Sequence, residues 1–168
     1  MAFLALKNVT RRFGGLIAVN DLSFELPQGK ITGLIGPNGS GKSTTINLIS
    51  GVLPLSAGSI EFEGKTITGK SPHTVANMGI ARTYQQIRVF ENMTALENVQ
   101  VARNGKYASS MIDVLLAGGR LSREDQRERE ISMSLLELVG LADKADEMPH
   151  NLPYGYRRCL EIARALAL

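Results

Sequence analysis

The sequence predicts an α/β fold in which a strand, a glycine-rich loop and a helix follow one another directly. Three observations predict it. Residues 31–35 form a short apolar run. Gly36-Pro37-Asn38-Gly39-Ser40-Gly41-Lys42-Ser43-Thr44 satisfies the spacing G-x-x-x-x-G-K-[ST]. Ile46, Leu48 and Ile49 then continue as an apolar, helix-like stretch. That succession is the context in which the pattern acts as a phosphate-binding loop.

The elements follow in order. Residues 4–9 and 22–26 are apolar or alternating runs that read as strands, and Pro27-Gln28-Gly29 is a turn leading into the strand at 31–35. Residues 42–50 form the helix of the loop, ended by Gly51 and Pro54. Ser59-Ile60-Glu61-Phe62-Glu63 alternates cleanly into Gly64, as a hairpin or an edge strand. Ser71-Pro72 opens a short helix through Asn77, with proline at the favoured first position. Residues 80–84 are a further short strand. After about Asn92 glycines become sparse and helical patterns take over. Ile131, Leu135, Leu138 and Val139 make one apolar face. Gly118-Gly119 closes one helical segment. Ser122 caps the next, with Glu124 and Asp125 in its first turn and Gly140 as its stop. Residues 151–156 read as a turn-rich loop before a last helix. The predicted organisation is a core with a β subdomain over 1–91, a helical subdomain over 92–150, and a loop with its following helix over 151–168.

Bulk properties narrow the function classes. A chain of 168 residues, 43% hydrophobic, is long enough for one domain with a real core. No apolar run approaches the roughly eighteen residues of a membrane span, and the N-terminus lacks the features of a signal peptide. Cys159 is the single cysteine, which excludes an internal disulfide, suits a reducing compartment and reads as a packed small side chain. The formal charge of +3 is carried by scattered basic residues, so no direct nucleic-acid contact is expected. Asp143, Asp146 and Glu147 have no histidine or further oxygen ligand spaced to close a metal shell, and read as a solvated acidic loop.

The loop's residue types answer a chemical demand. Several phosphate oxygens must be neutralised in a tight space. Glycines let backbone N–H groups converge on them, and the following helix offers its positive end. Lys42 is spaced to reach the β- and γ-phosphates, and the Ser43 hydroxyl to ligate Mg²⁺. The Asn-Lys-x-Asp motif of guanosine-triphosphate switches does not occur.

Several stretches together resemble the nucleotide-binding subunit of an ATP-binding cassette (ABC) transporter, most closely the importer subunits for branched-chain amino acids. The resemblance covers essentially the whole chain. Arg12-Phe13-Gly14-Gly15 with Ala18-Val19 matches the stretch whose aromatic residue stacks on adenine, which implies that role for Phe13. Ala81-Arg82-Thr83-Tyr84-Gln85 matches the loop whose glutamine approaches Mg²⁺ and the attacking water and links to the membrane subunit, which implies Gln85. Arg88-Val89-Phe90-Glu91-Asn92-Met93-Thr94 and Glu97-Asn98-Val99 fit the entry to the helical subdomain. Asn151-Leu152-Pro153-Tyr154-Gly155-Tyr156-Arg157-Arg158 occupies the place of the signature Leu-Ser-Gly-Gly-Gln, which faces the nucleotide of an opposite subunit. Tyr154 and Gly155 match its glycine positions as the branched-chain branch carries them. Pro153 stands for the serine and Tyr156 for the glutamine, and proline brings neither a hydroxyl nor an N–H. Arg157 and Arg158 either contact a partner subunit or solvate the start of the last helix.

The resemblance implies an α/β P-loop NTPase core of the ABC ATPase type, with an antiparallel β subdomain and an inserted helical subdomain. It implies ATP and Mg²⁺ as cofactors, with Phe13, Gly36, Asn38, Gly39, Ser40, Gly41, Lys42, Ser43 and Thr44 around the nucleotide. Ser43 and Gln85 would face the metal, and Lys42 and Gln85 would carry the catalysis. Implied partners are a second ABC ATPase subunit, identical or different, integral membrane permease subunits, and indirectly a solute-binding protein. The implied location is the cytoplasmic face of a bacterial or archaeal membrane. The family's Asp-Glu strand end and its switch histidine are not found before Leu168, and neither His73 nor His150 stands in that histidine's place. The chain is therefore expected to end before the Walker B strand and to bind ATP without hydrolysing it efficiently. A soluble ABC ATPase acting as an assembly or nucleic-acid-associated switch is the alternative. It would ordinarily carry two cassettes or a long coiled coil, and neither pattern occurs.

Overall fold

The computed structural model describes residues 2–103 and 118–168. They form two compact units, Met1–Ile80 and Ala81–Leu168.

The first unit is organised on a four-stranded antiparallel sheet. Its strands are β1 (Leu4–Phe13), β2 (Leu16–Leu26), β3 (Ala57–Phe62) and β4 (Lys65–Thr66), in the order β2-β1-β3-β4. The runs at 4–9 and 22–26 are thus parts of longer strands. Gly14-Gly15 joins them as a hairpin, with Phe13 opposite Leu16 and Leu4 opposite Leu26. Register shifts interrupt β1 between Leu6 and Val9, where Asn8 takes a φ of 50°. Its side-chain amide donates to the Asp21 carboxylate at 2.8 Å, and Asp21 is also at φ 50°. Leu6, Val9 and Ile60 point from the sheet into the core, where Leu48 of helix α1 (Lys42–Ile49) and Val75 of helix α2 (Pro72–Asn77) meet them. Each such side chain contributes about 2 kcal/mol by leaving water. Ser71 caps α2 through its hydroxyl, with proline at the first turn as predicted.

The predicted strand at 31–35 is not formed. Residues 31–37 have no regular structure, and Ile31 and Ile35 are almost wholly exposed. The apolar run is of the type that a buried strand needs, but a strand is a pairing. Among the described residues none offers its backbone as a neighbour. Residues 80–84 fail to form a strand for the same reason.

The second unit is helical: α3 (Ala95–Arg103), α4 (Gly118–Leu138) and α5 (Tyr154–Ala167), with short 3-10 turns at Ala142–Lys144 and Pro149–Asn151. Leu96 and Val99 of α3, Leu136 of α4 and Leu160 and Ala163 of α5 share one core with Leu141 and Leu152. Helix α3 starts with a reciprocal capping box. The Thr94 N–H donates to the Glu97 carboxylate at 2.7 Å, and the Glu97 N–H to the Thr94 hydroxyl at 3.2 Å. Asn98, fully buried, ties the preceding turn to the helix. Its Oδ1 accepts from the Phe90 N–H at 2.8 Å and its Nδ2 donates to the carbonyls of Phe90, Met93 and Thr94.

Two helix boundaries differ from expectation. Helix α4 runs through Ser122 from Gly118, so Ser122 is interior and the Gly118-Gly119 pair belongs to this helix, while the segment that the pair is expected to close lies outside the described residues. Serine costs only about half a kcal/mol inside a helix, which propagation of the ladder outweighs. Helix α5 begins at Tyr154, so Tyr154, Gly155 and Tyr156 form its first turn and do not belong to a loop.

Candidate functional site

The glycine loop ends on α1 in a conformation that leaves its donors open. Gly41, the cap of α1, has a φ of 87°, and no side chain caps the first turn. A Cβ at Gly41 would lie 2.5 Å from the Ala18 carbonyl oxygen, so only glycine lets the loop pass this close to β2. Gly39, at φ 82°, faces open space. Lys42 lies over the loop, its Nζ donating to the carbonyls of Gly36 at 2.6 Å and Pro37 at 2.7 Å. The Ser40 N–H closes the turn onto Pro37 at 3.3 Å. Asn38, Gly39, Ser40 and Ser43 are exposed, with Thr44 half-buried behind them. Behind Thr44, Thr45 is buried, and its hydroxyl donates to the Gly41 carbonyl at 3.0 Å, which fixes the loop to the helix. Open first-turn N–H groups, a helix dipole and a movable ammonium form a cradle that fits a polyphosphate, and the free Ser43 hydroxyl beside it fits its cation.

Phe13 stands at the tip of β1 and is 42% exposed. The Arg11 guanidinium lies 4.5 Å from its ring centroid, so a cation stacks on the ring.

In the second unit Gln85 lies in a bend, and its side chain is exposed. It lines a pocket of about 320 Å³ with Gln86, Ile87, Glu91, Tyr154 and Arg157. Gln85 and Tyr154, far apart in sequence, therefore share one wall. Tyr154 is 68% exposed, and Gly155 has open space around it. Pro153 occupies the cap position of α5, which has no side-chain cap.

Arg157 and Arg158 bond to their own chain. Arg157 donates to the carbonyls of Leu152 and His150, both at 3.0 Å. Arg158 donates to the carbonyls of Tyr84 at 2.8 Å and of Gln85, to the Tyr154 hydroxyl at 3.1 and 3.3 Å, and to Glu161 at 3.1 Å. Nothing in the spacing of this pair points to these bonds within the unit. The Tyr154 hydroxyl foremost, and Glu161 after it, raise the Arg158 pKa above its ordinary value against the pull of burial. Glu161, buried in the helix, accepts the Tyr84 N–H at 3.0 Å. Sequence reasoning missed Glu161. The signal was a carboxylate between Leu160 and Ala163 on the apolar face of α5, three residues after an arginine. One turn further on, burial lowers the Arg164 pKa and Glu161 partly offsets it. Arg164 donates to the Arg88 carbonyl and stacks 4.7 Å from the Phe90 ring. Cys159 packs half-buried against the helical core. No helix among the described residues is long and apolar enough to cross a membrane.

Known proteins place this geometry in a class. Residues 19–168 match the ABC transporter family. The high-affinity branched-chain amino acid transport ATP-binding protein LivG of Salmonella typhimurium is 37% identical over 163 residues, which are 97% of this chain and 64% of that protein. The probable LivG of Archaeoglobus fulgidus is 38% identical over 166 residues, 99% of this chain and 63% of its own length. A crystal structure of a nucleotide-free ATP-binding cassette from an ABC transporter superposes with a TM-score of 0.79 at 34% identity, over 99% of this chain and 65% of that one. The chain thus spans a little under two thirds of the length of these relatives.

The fold is that of the ABC ATPases, an α/β cassette with an antiparallel β subdomain and a helical subdomain. The chain belongs to the ABC transporter family, and is homologous to its LivG and BraF ATP-binding subunits.

Proposed function

We propose that the chain is the nucleotide-binding portion of an ATP-hydrolysing subunit that drives import of a small solute, a branched-chain amino acid or a related amino acid or amide. The observation that carries this reading is the open end of α1, with Lys42 lying over a loop that only glycine at position 41 permits. The names of the relatives, branched-chain amino acid transport ATP-binding proteins, supply the cargo.

In this reading Gly36, Asn38, Gly39, Ser40, Gly41 and Thr44 surround the phosphates with main-chain donors. Phe13 offers its ring to adenine. Lys42 leaves the loop carbonyls to neutralise the β- and γ-phosphate oxygens. Ser43 and Gln85 are the residues that would hold Mg²⁺, which would supply further charge neutralisation. Tyr154 and Gly155 face the nucleotide of a second cassette, identical or different. The dimeric structure of MJ0796, a bacterial ABC transporter cassette 27% identical to this chain, supports that pairing. Core, helical subdomain and signature stretch divide as 1–91, 92–150 and 151–168. Permease subunits meet the Gln85 region and the helical subdomain at the cytoplasmic face of the membrane, and a solute-binding protein acts through them.

The test is binding and turnover of Mg-ATP by the purified chain beside Lys42→Ala. Calorimetry should show ATP binding that falls about 100-fold in the variant, the scale of losing a charge-assisted contact to phosphate, with turnover near background in both. Equal affinity of the two proteins would reject the loop as the site.

A further inference from the structure

We propose that Arg158 is a positioning residue for Gln85, and that it joins the first turn of α5 to the Tyr84–Gln85 backbone as one mechanical piece. This rests on the reading of Gln85 as the residue that approaches Mg²⁺ and the attacking water.

Residues 83–89 make no backbone–backbone hydrogen bond among the described residues. What holds them is side chains, and around Gln85 those side chains come from α5. Arg158 donates to the carbonyls of both Tyr84 and Gln85, while Glu161 accepts the Tyr84 N–H. Three backbone polar groups of two adjacent residues are therefore fixed by two residues of a single helix. The guanidinium is suited to this because its donors lie in one plane at fixed angles. Its remaining donors go to Glu161, which compensates a buried carboxylate, and to the Tyr154 hydroxyl one turn back. Tyr154 opens the helix that the proposed function turns toward a second cassette. Displacement of that end is carried through Arg158 to the Gln85 main chain without a loop rearrangement between them.

The experiment measures ATP affinity in Mg²⁺ and in EDTA for the purified protein and for Gln85→Ala, Arg158→Gln and the double variant. Hydrogen exchange of the 82–90 peptide is followed beside it. Arg158→Gln should lower the Mg²⁺-dependent gain in affinity about fivefold, as Gln85→Ala does, with no further loss in the double variant. Affinity in EDTA should stay unchanged, which a general loss of folding would not allow. Exchange at Tyr84 should quicken about tenfold as its acceptor loses its partner. Arg158→Lys should not restore the gain, because an ammonium cannot span both carbonyls. If Arg158→Gln does not fold, Tyr154→Phe, which removes only the hydroxyl, should move the same ratio about twofold. An intact Mg²⁺ gain in Arg158→Gln while Gln85→Ala loses it, or additive losses in the double variant, would overturn the proposal. An intact gain in Gln85→Ala would overturn it as well, whereas the nucleotide reading stands or falls separately on Lys42→Ala.

Discussion

Helices α1 and α5 both begin without a side-chain cap, and they begin in opposite ways. Helix α1 follows a glycine at φ 87°, and its basic residue lies back over the loop at the helix start. Helix α5 follows a proline at φ −52° and ψ 152°, and the two arginines of its first turns bond within their own unit. The first start gathers its donors within nine consecutive residues and can hold an anion by itself. The second spends its cations on carbonyls of its own chain and presents an exposed tyrosine and a glycine. In the proposed function it is one face of a site, and the charge that it would meet is neutralised elsewhere. A helix dipole is common to both. What separates them is where the nearest cation is directed.

The sharpest way to break this comparison is to remove the conformational freedom at the start of α1. Gly41→Ala places a Cβ at 2.5 Å from the Ala18 carbonyl oxygen in a left-handed backbone. Either the loop moves away from β2 or the strain stays, so we expect a loss of about 3 kcal/mol in urea unfolding, with ATP affinity falling alongside. Unchanged stability would mean that the close passage of loop and strand is not a feature of the folded state.

A smaller effect is expected at the start of α5. Arg157→Met keeps the apolar stem and deletes the donors to Leu152 and His150. The Arg157 side chain is itself partly exposed, so a loss of about 1 kcal/mol is expected by thermal unfolding. A loss as large as that of Gly41→Ala would show that the arginine, and not the proline, sets the start of the helix.

The same contrast explains what the sequence makes legible. The loop is legible because its geometry is local: left-handed glycines, a lysine and a helix lie within nine residues, and no distant contact is needed to form them. The strand at 31–35 is legible only as a wish for partners. Its composition is right, but pairing is a property of two segments, and Ile31 and Ile35 stay in solvent. The Arg158 clamp is the converse case. Its partners are 73 and 74 residues away, and nothing in the spacing of Arg158 says which carbonyls it will meet. Ser122 shows a third kind of limit. A capping residue followed by acids is a local signal, but the helix was already under way at Gly118. Gln85 and Tyr154 were each found by resemblance, and only folding put them on one pocket wall.

The smallest effect has the opposite sign. Gly155 lies in the first turn of α5 with no atom beyond its own helical turn within 4 Å of where a Cβ would stand, and its φ is not in the left-handed region. The backbone there needs no glycine. Gly155→Ala should therefore stabilise the chain by about 0.5 kcal/mol, through the entropy that glycine loses on entering a helix. If this variant stabilises the isolated chain yet weakens pairing with a second cassette, the glycine serves close approach of a partner and not the fold. Destabilisation would place a constraint at Gly155 that open space does not explain. The two helix starts would then share a dependence on glycine that the geometry requires only at α1.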